Sequence, residues 1–208
     1  MKLTDESKLF AGIIGVTLAI IVIAVVALSQ PVKPLEKSEL IPEKTNIHGN
    51  AKAKTWLVEF SDFQCPACRT FETSVEALVK KYPQDLMVAY RHFPLPQHPF
   101  ARDAALVAEA AGIQGKFFEM GSFLFKNQDT LGEELFASAA AELTLDMARF
   151  TKDRTEASLS SRVTADSDYG NRIGVNATPT FYLNGLKLDV GTPEELTKAV
   201  ESAIKAAK

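Results

Sequence analysis

Thr55-Trp56-Leu57-Val58-Glu59-Phe60 runs directly into Ser61-Asp62-Phe63-Gln64-Cys65-Pro66-Ala67-Cys68, and the fold turns on this junction. The first six residues are rich in β-branched and aromatic side chains, the composition of a buried strand. Pro66 suits the first turn of a helix, where its missing N–H is no loss. Phe71, Val75, Leu78 and Val79 then recur at helical spacing to about Lys81. The junction is therefore strand to helix, with Cys65 at the helix N-terminus and Cys68 one turn later. Free backbone N–H groups and the helix dipole favour a thiolate there. A second thiol at this spacing can close a disulfide with the first and resolve a mixed disulfide formed on it.

Cys65 and Cys68 are the only two cysteines in 208 residues, too few for a framework of disulfides. Two other uses of the pair compete with dithiol chemistry. Half of a zinc site would need further ligands, and only His48, His92 and His98 remain, with no second C-x-x-C and no paired histidines. An inert structural disulfide would close so short a loop that it would stabilise little. Both are weaker readings than dithiol chemistry.

Working outward, Leu86 to Phe93 reads as a second strand. From Phe100 to about Ile173 the patterns are helical: an Ala-rich stretch at 101–111, Lys116–Lys126, and segments after Gly132, near Leu143 and from Asp153. Thr180-Phe181-Tyr182-Leu183 is a strand, Asn184-Gly185 a two-residue hairpin turn, and Leu186 to Val190 the returning strand. Thr192 as N-cap, Pro193 at the first helical position and Glu195 as the capping-box acid start a last helix, running to about Ala206. The order is strand–helix–strand, a helical block, then hairpin–helix. Two parallel strands need a crossover, and the helix after Cys65 supplies it. This is an α/β chain of thioredoxin-like fold with an inserted helical domain at about 98–173, inside a domain expected over 47–208.

Residues Leu9 to Leu28 are apolar apart from Thr17, and carry no charge. A helix of that length matches the hydrocarbon thickness of a bilayer, about 30 Å. One N-terminal transmembrane helix over 9–28 is expected, a signal anchor preceded by a short cytoplasmic tail, 1–8. A cleavable signal peptide is the rival, with a small-x-small site at Ala27-Leu28-Ser29, although its apolar region would be shorter. Lys2 and Lys8 on one side against Lys33, Lys37 and Lys44 on the other leave orientation undecided by charge. Pro31, Pro34 and Pro42 mark 29–46 as a stiff, exposed linker. With 46% hydrophobic and 24% charged residues the composition is globular, and a net charge of −3 gives no reason to expect nucleic acid.

Phe60-Ser61-Asp62-Phe63-Gln64-Cys65-Pro66-Ala67-Cys68, Tyr90-Arg91-His92-Phe93-Pro94-Leu95, Gln114-Gly115-Lys116-Phe117-Phe118 and Gly174-Val175-Asn176-Ala177-Thr178-Pro179-Thr180-Phe181 together resemble the DsbA-like branch of thioredoxin-fold thiol–disulfide oxidoreductases, over about residues 46–206. The resemblance implies a redox-active Cys65–Cys68 disulfide as the only redox group, with no cofactor and no metal. Cys65 would be the nucleophile and Cys68 the resolving thiol, in a loop completed by Pro66 and Ala67. It implies a cis peptide bond at Thr178-Pro179 facing the cysteines, and pairing of the Thr178 backbone with a substrate peptide. It makes Glu59 a buried proton acceptor for the inner cysteine, where burial would raise its pKa. Glu59 facing water at a strand end is the plainer alternative. Pro66-Ala67 departs from the best-known DsbA, which has a histidine in the second place, and this weakens any claim of strong oxidising power.

The expected function is that of a protein disulfide oxidoreductase, a donor of disulfides to exported proteins. It would be recharged by a membrane redox partner of DsbB or vitamin K epoxide reductase type. Oxidising chemistry belongs outside the cytoplasm, which sets the orientation N-in with the catalytic domain extracytoplasmic. The alternatives are an extracytoplasmic reductase or isomerase, and a non-catalytic chaperone or binding module of the same fold. A monomer is expected. Blander readings fit the other conspicuous residues: His92 and His98 as loop and packing residues, Phe117, Phe118, Phe123 and Phe125 as core, and Arg69 as a solvated side chain or a source of positive potential near the thiols.

Overall fold

The strand-to-helix junction lies at the centre of a five-stranded sheet. In the computed structural model, residues 5–28 and 33–208 are described, the side chains of 5–9, 11 and 25–28 excepted. The chain divides into two units, Met1–Pro34 and Leu35–Lys208. In the first, Asp5–Leu28 forms helix α1. Its described side chains, Phe10, Ile13, Ile14 and Val16 among them, are exposed. Among the described residues no helix is long and apolar enough to cross a membrane. The side chains at both ends of the 9–28 run lie outside the described ones, so the transmembrane assignment rests on the sequence.

The second unit begins with a short helix, α2 (Lys37–Leu40), and a strand, β1 (Asn46–Gly49). Then come β2 (Thr55–Ser61), α3 (Pro66–Lys81) and β3 (Leu86–His92). The helical block is α4 (Ala101–Ile113), α5 (Phe117–Lys126), a 3-10 turn at Gln128–Thr130, α6 (Glu133–Glu142), α7 (Met147–Arg154) and α8 (Ala157–Arg172). It closes with β4 (Thr180–Leu183), β5 (Leu186–Lys187) and α9 (Pro193–Ala206). The strand order is β1-β3-β2-β4-β5, with β2 and β3 parallel and every other pair antiparallel.

The sheet separates two apolar layers because strand side chains alternate. Leu57, Val88, Phe181 and Leu183 face α3 and α9, against Phe71, Val75, Leu78, Leu196, Val200 and Ile204. Val58, Phe60, Ala89 and Tyr182 face the other way, with Leu40 and Phe93. There α8 comes so close that a Cβ on Gly170 would lie 2.8 Å from the Phe93 ring. The capping box at α9 is present, Glu195 N–H donating to Thr192 Oγ1 and the Glu195 carboxylate accepting from the Thr192 N–H.

Two expectations need correcting. The 29–46 segment is not an exposed linker throughout. Leu40 is fully buried, and Arg91 Nη1 donates to its carbonyl at 2.7 Å. Leu35 N–H also donates to Gly185 O at 2.9 Å, so residues from Leu35 on pack against the domain. The returning strand is also shorter than 186–190: Leu186 and Lys187 pair with β4, and Leu188 adds one N–H donated to Phe181 O at 2.8 Å.

Candidate active site

Cys65 is the N-cap of α3, with extended backbone, and Pro66 occupies the first turn. The loop that delivers it is pinned from several sides. Cys65 N–H donates to Asp62 O at 3.0 Å. The Asp62 carboxylate accepts from Gln64 N–H at 2.7 Å and Leu95 N–H at 2.9 Å, and lies 2.7 Å from His98 Nδ1. Gln128 Nε2 donates to Phe63 O at 2.8 Å and Cys65 O at 2.9 Å. Phe63 stacks on Tyr90, ring centres 5.0 Å apart. A loop held by that many backbone contacts presents one thiol in one place.

Both cysteines are free thiols. Cys65 keeps 6% exposure and Cys68 none, so an incoming sulfur can reach only the first. The Thr178–Pro179 peptide bond is cis. Thr178 O lies 3.3 Å from Cys65 Sγ, and the thiol donates to it. The Thr178 hydroxyl is buried without a partner beside the same sulfur, free to donate once a thiolate forms.

The electrostatics follow from burial and donors. Hydrogen bonding from the Cys68 thiol is the main cause that brings Cys65 from 9.0 down to about 5. Burial opposes this, and the Thr178 hydroxyl and the N–H groups of Cys68 and Ala67 reinforce it. Cys68 is pushed far up, first by burial and then by the neighbouring Cys65 and Glu59. Glu59 sits between Tyr90 on β3 and Phe181 on β4. Burial, with the Glu72 charge next, raises it from 4.5 to about 8, while Ser61 opposes the rise. It does not face water.

The remaining sequence candidates fall in different places. Pro66 and Ala67 form the first turn of α3 between the two thiols. Arg69 is half-buried and pairs with Asp129 at 3.3 Å. His92 is buried against Glu109 at 3.0 Å, and His48 lies 3.2 Å from Glu76. With His98 on Asp62, each histidine engages a carboxylate. Among the described residues no group of three or more His, Cys, Asp or Glu side chains gathers to hold a metal. Phe117 and Phe125 are core, and Phe118 stacks on His48 at 4.6 Å. Sequence reasoning missed Asp62 and Gln128 as supports of the loop, and Ser61 and Tyr90 beside Glu59. Asp62 could have been found from its place inside the motif. Gln128 comes from a turn 63 residues beyond Cys65, and no local pattern marks it.

The sequence profile of the thioredoxin family matches residues 42–202. A thioredoxin-like oxidoreductase from Silicibacter pomeroyi DSS-3 superposes with a TM-score of 0.71 at 26% identity, over 83% of this chain and 100% of that one. The α-DsbA1 protein of Wolbachia pipientis superposes at 0.71 with 20% identity, over 81% of this chain and 95% of that one. The Na(+)/H(+) antiporter NhaA 1 of Mycobacterium sp. (strain KMS) is 34% identical over 190 residues, 87% of this chain. The chain spans 31% of that relative's length, about a third, so ion transport does not carry over.

Proposed function

From membership of the thioredoxin family, to which the chain belongs with the helical insertion of DsbA-like folds, we propose that it donates disulfides to exported proteins through Cys65 and Cys68. One observation carries this reading: Cys65 stands at a helix start where the Cys68 thiol, the Thr178 hydroxyl and two backbone N–H groups all favour its thiolate. Those donors act only when the disulfide is open. They stabilise the reduced protein relative to the oxidised one, which makes the disulfide a good oxidant.

In the donor direction a substrate thiolate attacks Cys65 Sγ. The Cys65–Cys68 bond breaks, its electron pair passes to Cys68, and a mixed disulfide remains on Cys65. Cys68 then needs a proton, and Glu59 supplies it, held protonated near neutral pH by burial. A second substrate thiolate attacks the substrate sulfur and releases Cys65 as a thiolate. The substrate leaves oxidised and the protein reduced by the same two electrons. The Thr178 backbone, beside Cys65 Sγ, is the edge on which an extended substrate would pair.

The setting proposed with this chemistry is a single membrane anchor at 9–28 with the domain outside the cytoplasm. A quinone-linked membrane protein of DsbB or vitamin K epoxide reductase type would reoxidise it. Equilibration with glutathione tests the direction. A donor leaves a measurable reduced fraction across ordinary ratios of reduced to oxidised glutathione. Full oxidation under those ratios would reject donation and favour an electron-fed reductase.

A further inference from the structure

Beneath Cys68 lies a polar cluster that the dithiol step alone does not explain. Glu59 and Ser61 are two residues apart on β2 and so point to the same face. Tyr90 is the register partner of Glu59 on β3 and points with them. All three are buried, and Cys68, on the helix that covers this face, is buried completely. Glu59 Oε1, Ser61 Oγ and the Tyr90 hydroxyl make no hydrogen bond. Each such atom gives up its hydrogen bonds to water without replacement, so three together in an apolar core are an expense that stability does not explain. Ser61 is common to all: its hydroxyl bears on the titration of Glu59, Cys68 and Tyr90 alike. A hydroxyl turns on one bond and both donates and accepts.

We propose that Ser61 is the positioning residue through which the proton passes between Glu59 and Cys68, with Tyr90 orienting its hydroxyl. When the Cys65–Cys68 bond breaks, the Glu59 carboxyl donates to Ser61 Oγ, and Ser61 gives its own proton to the Cys68 thiolate. Glu59 is left a carboxylate and Ser61 is unchanged. When Cys68 attacks a mixed disulfide on Cys65, the protons run back and the substrate sulfur leaves with the electron pair. The other ionisable groups bearing on the cluster are Cys65 and Glu72 from α3 and Asp62 from the loop. On β3, the His92 ring lies 5.2 Å from Tyr90 and is occupied by Glu109.

The proposal rests on the dithiol reading, and its test separates the two. The full chain is loaded with glutathione on Cys65 and its release by Cys68 is followed against pH, in the wild type, Ser61→Ala, Ser61→Thr and Tyr90→Phe. Ser61→Ala is expected to slow release near neutral pH by about tenfold, part of what positioned proton transfer contributes. Ser61→Thr restores the rate, Tyr90→Phe slows it less, and alkylation of Cys65 keeps its pH midpoint in all four. Release from Ser61→Ala at the wild-type rate at every pH overturns the relay, as does a Ser61→Thr variant as slow as Ser61→Ala. A wild type that releases no glutathione removes the dithiol reading itself.

Discussion

Thr178 meets Cys65 twice, through a carbonyl that accepts from the thiol and a hydroxyl that can donate to the thiolate. Thr178→Val keeps the shape and deletes the donor. The Cys65 titration, followed by thiolate absorbance in the ultraviolet, should then move upward from its midpoint of about 5. An unchanged midpoint would mean that the helix start and Cys68 hold the thiolate alone. Glu59 and Cys65 pull stability in opposite directions with pH. The raised Glu59 pKa favours the folded state fully below 4.5, and that contribution is lost as pH rises through about 8. The lowered Cys65 pKa stabilises the reduced folded state fully above 9.0, and that contribution is lost as pH falls through about 5. Glu59→Gln should therefore stabilise the reduced protein against urea above about pH 8 and change little below 4.5. Equal effects at both ends would show that Glu59 acts through packing. The cysteine pair was legible from its motif and spacing, whereas Glu59 and Pro179 were marked through the family resemblance. Ser61 and Tyr90 were not, because their meaning depends on register between β2 and β3.

At the level of elements, Gln128 shows how the insertion serves the site. Its amide holds the carbonyls of Phe63 and Cys65 from the 3-10 turn after α5. Gln128→Ala strands two buried acceptors and should cost about 1–3 kcal/mol in urea unfolding, with faster alkylation of Cys65 as the loop loosens. A loss of stability with unchanged alkylation would confine Gln128 to structure. Gly170→Ala should also destabilise, by about 1–3 kcal/mol, since the new methyl meets the Phe93 and Phe60 rings where α8 lies on the sheet. Wild-type stability would mean that α8 can shift without loss. The principal strands and most helices were readable from period and caps: α9 announces itself in Thr192-Pro193-Glu194-Glu195, and α3 in Pro66. β1 was not readable. Asn46-Ile47-His48-Gly49 holds one β-branched residue and no apolar run, and it is a strand only because β3 offers a free edge. α2 was missed for a similar reason: four residues make too short a pattern, and Leu40 is held by tertiary contacts.

For the whole molecule, the boundary at Leu35 predicts what can be removed. A 35–208 fragment should refold and keep the Cys65 titration of the full chain, whereas the full chain should partition with membranes through 9–28. A fragment that fails to fold would show that the unit needs what precedes it. The first residues of this unit are riveted rather than draped. Leu35 is bonded to the β4–β5 turn, and Leu40 to Arg91. Arg91 is itself locked at 2.6 Å to Asp166 of α8 and stacked over Phe60 and Tyr169. In mechanical terms, a tug arriving along the chain at Leu35 is shared between the sheet edge and the helical insertion before it can reach β1. A pull on the N-terminal end is thereby spread over β3, α8 and the β4–β5 turn rather than carried by β1 alone.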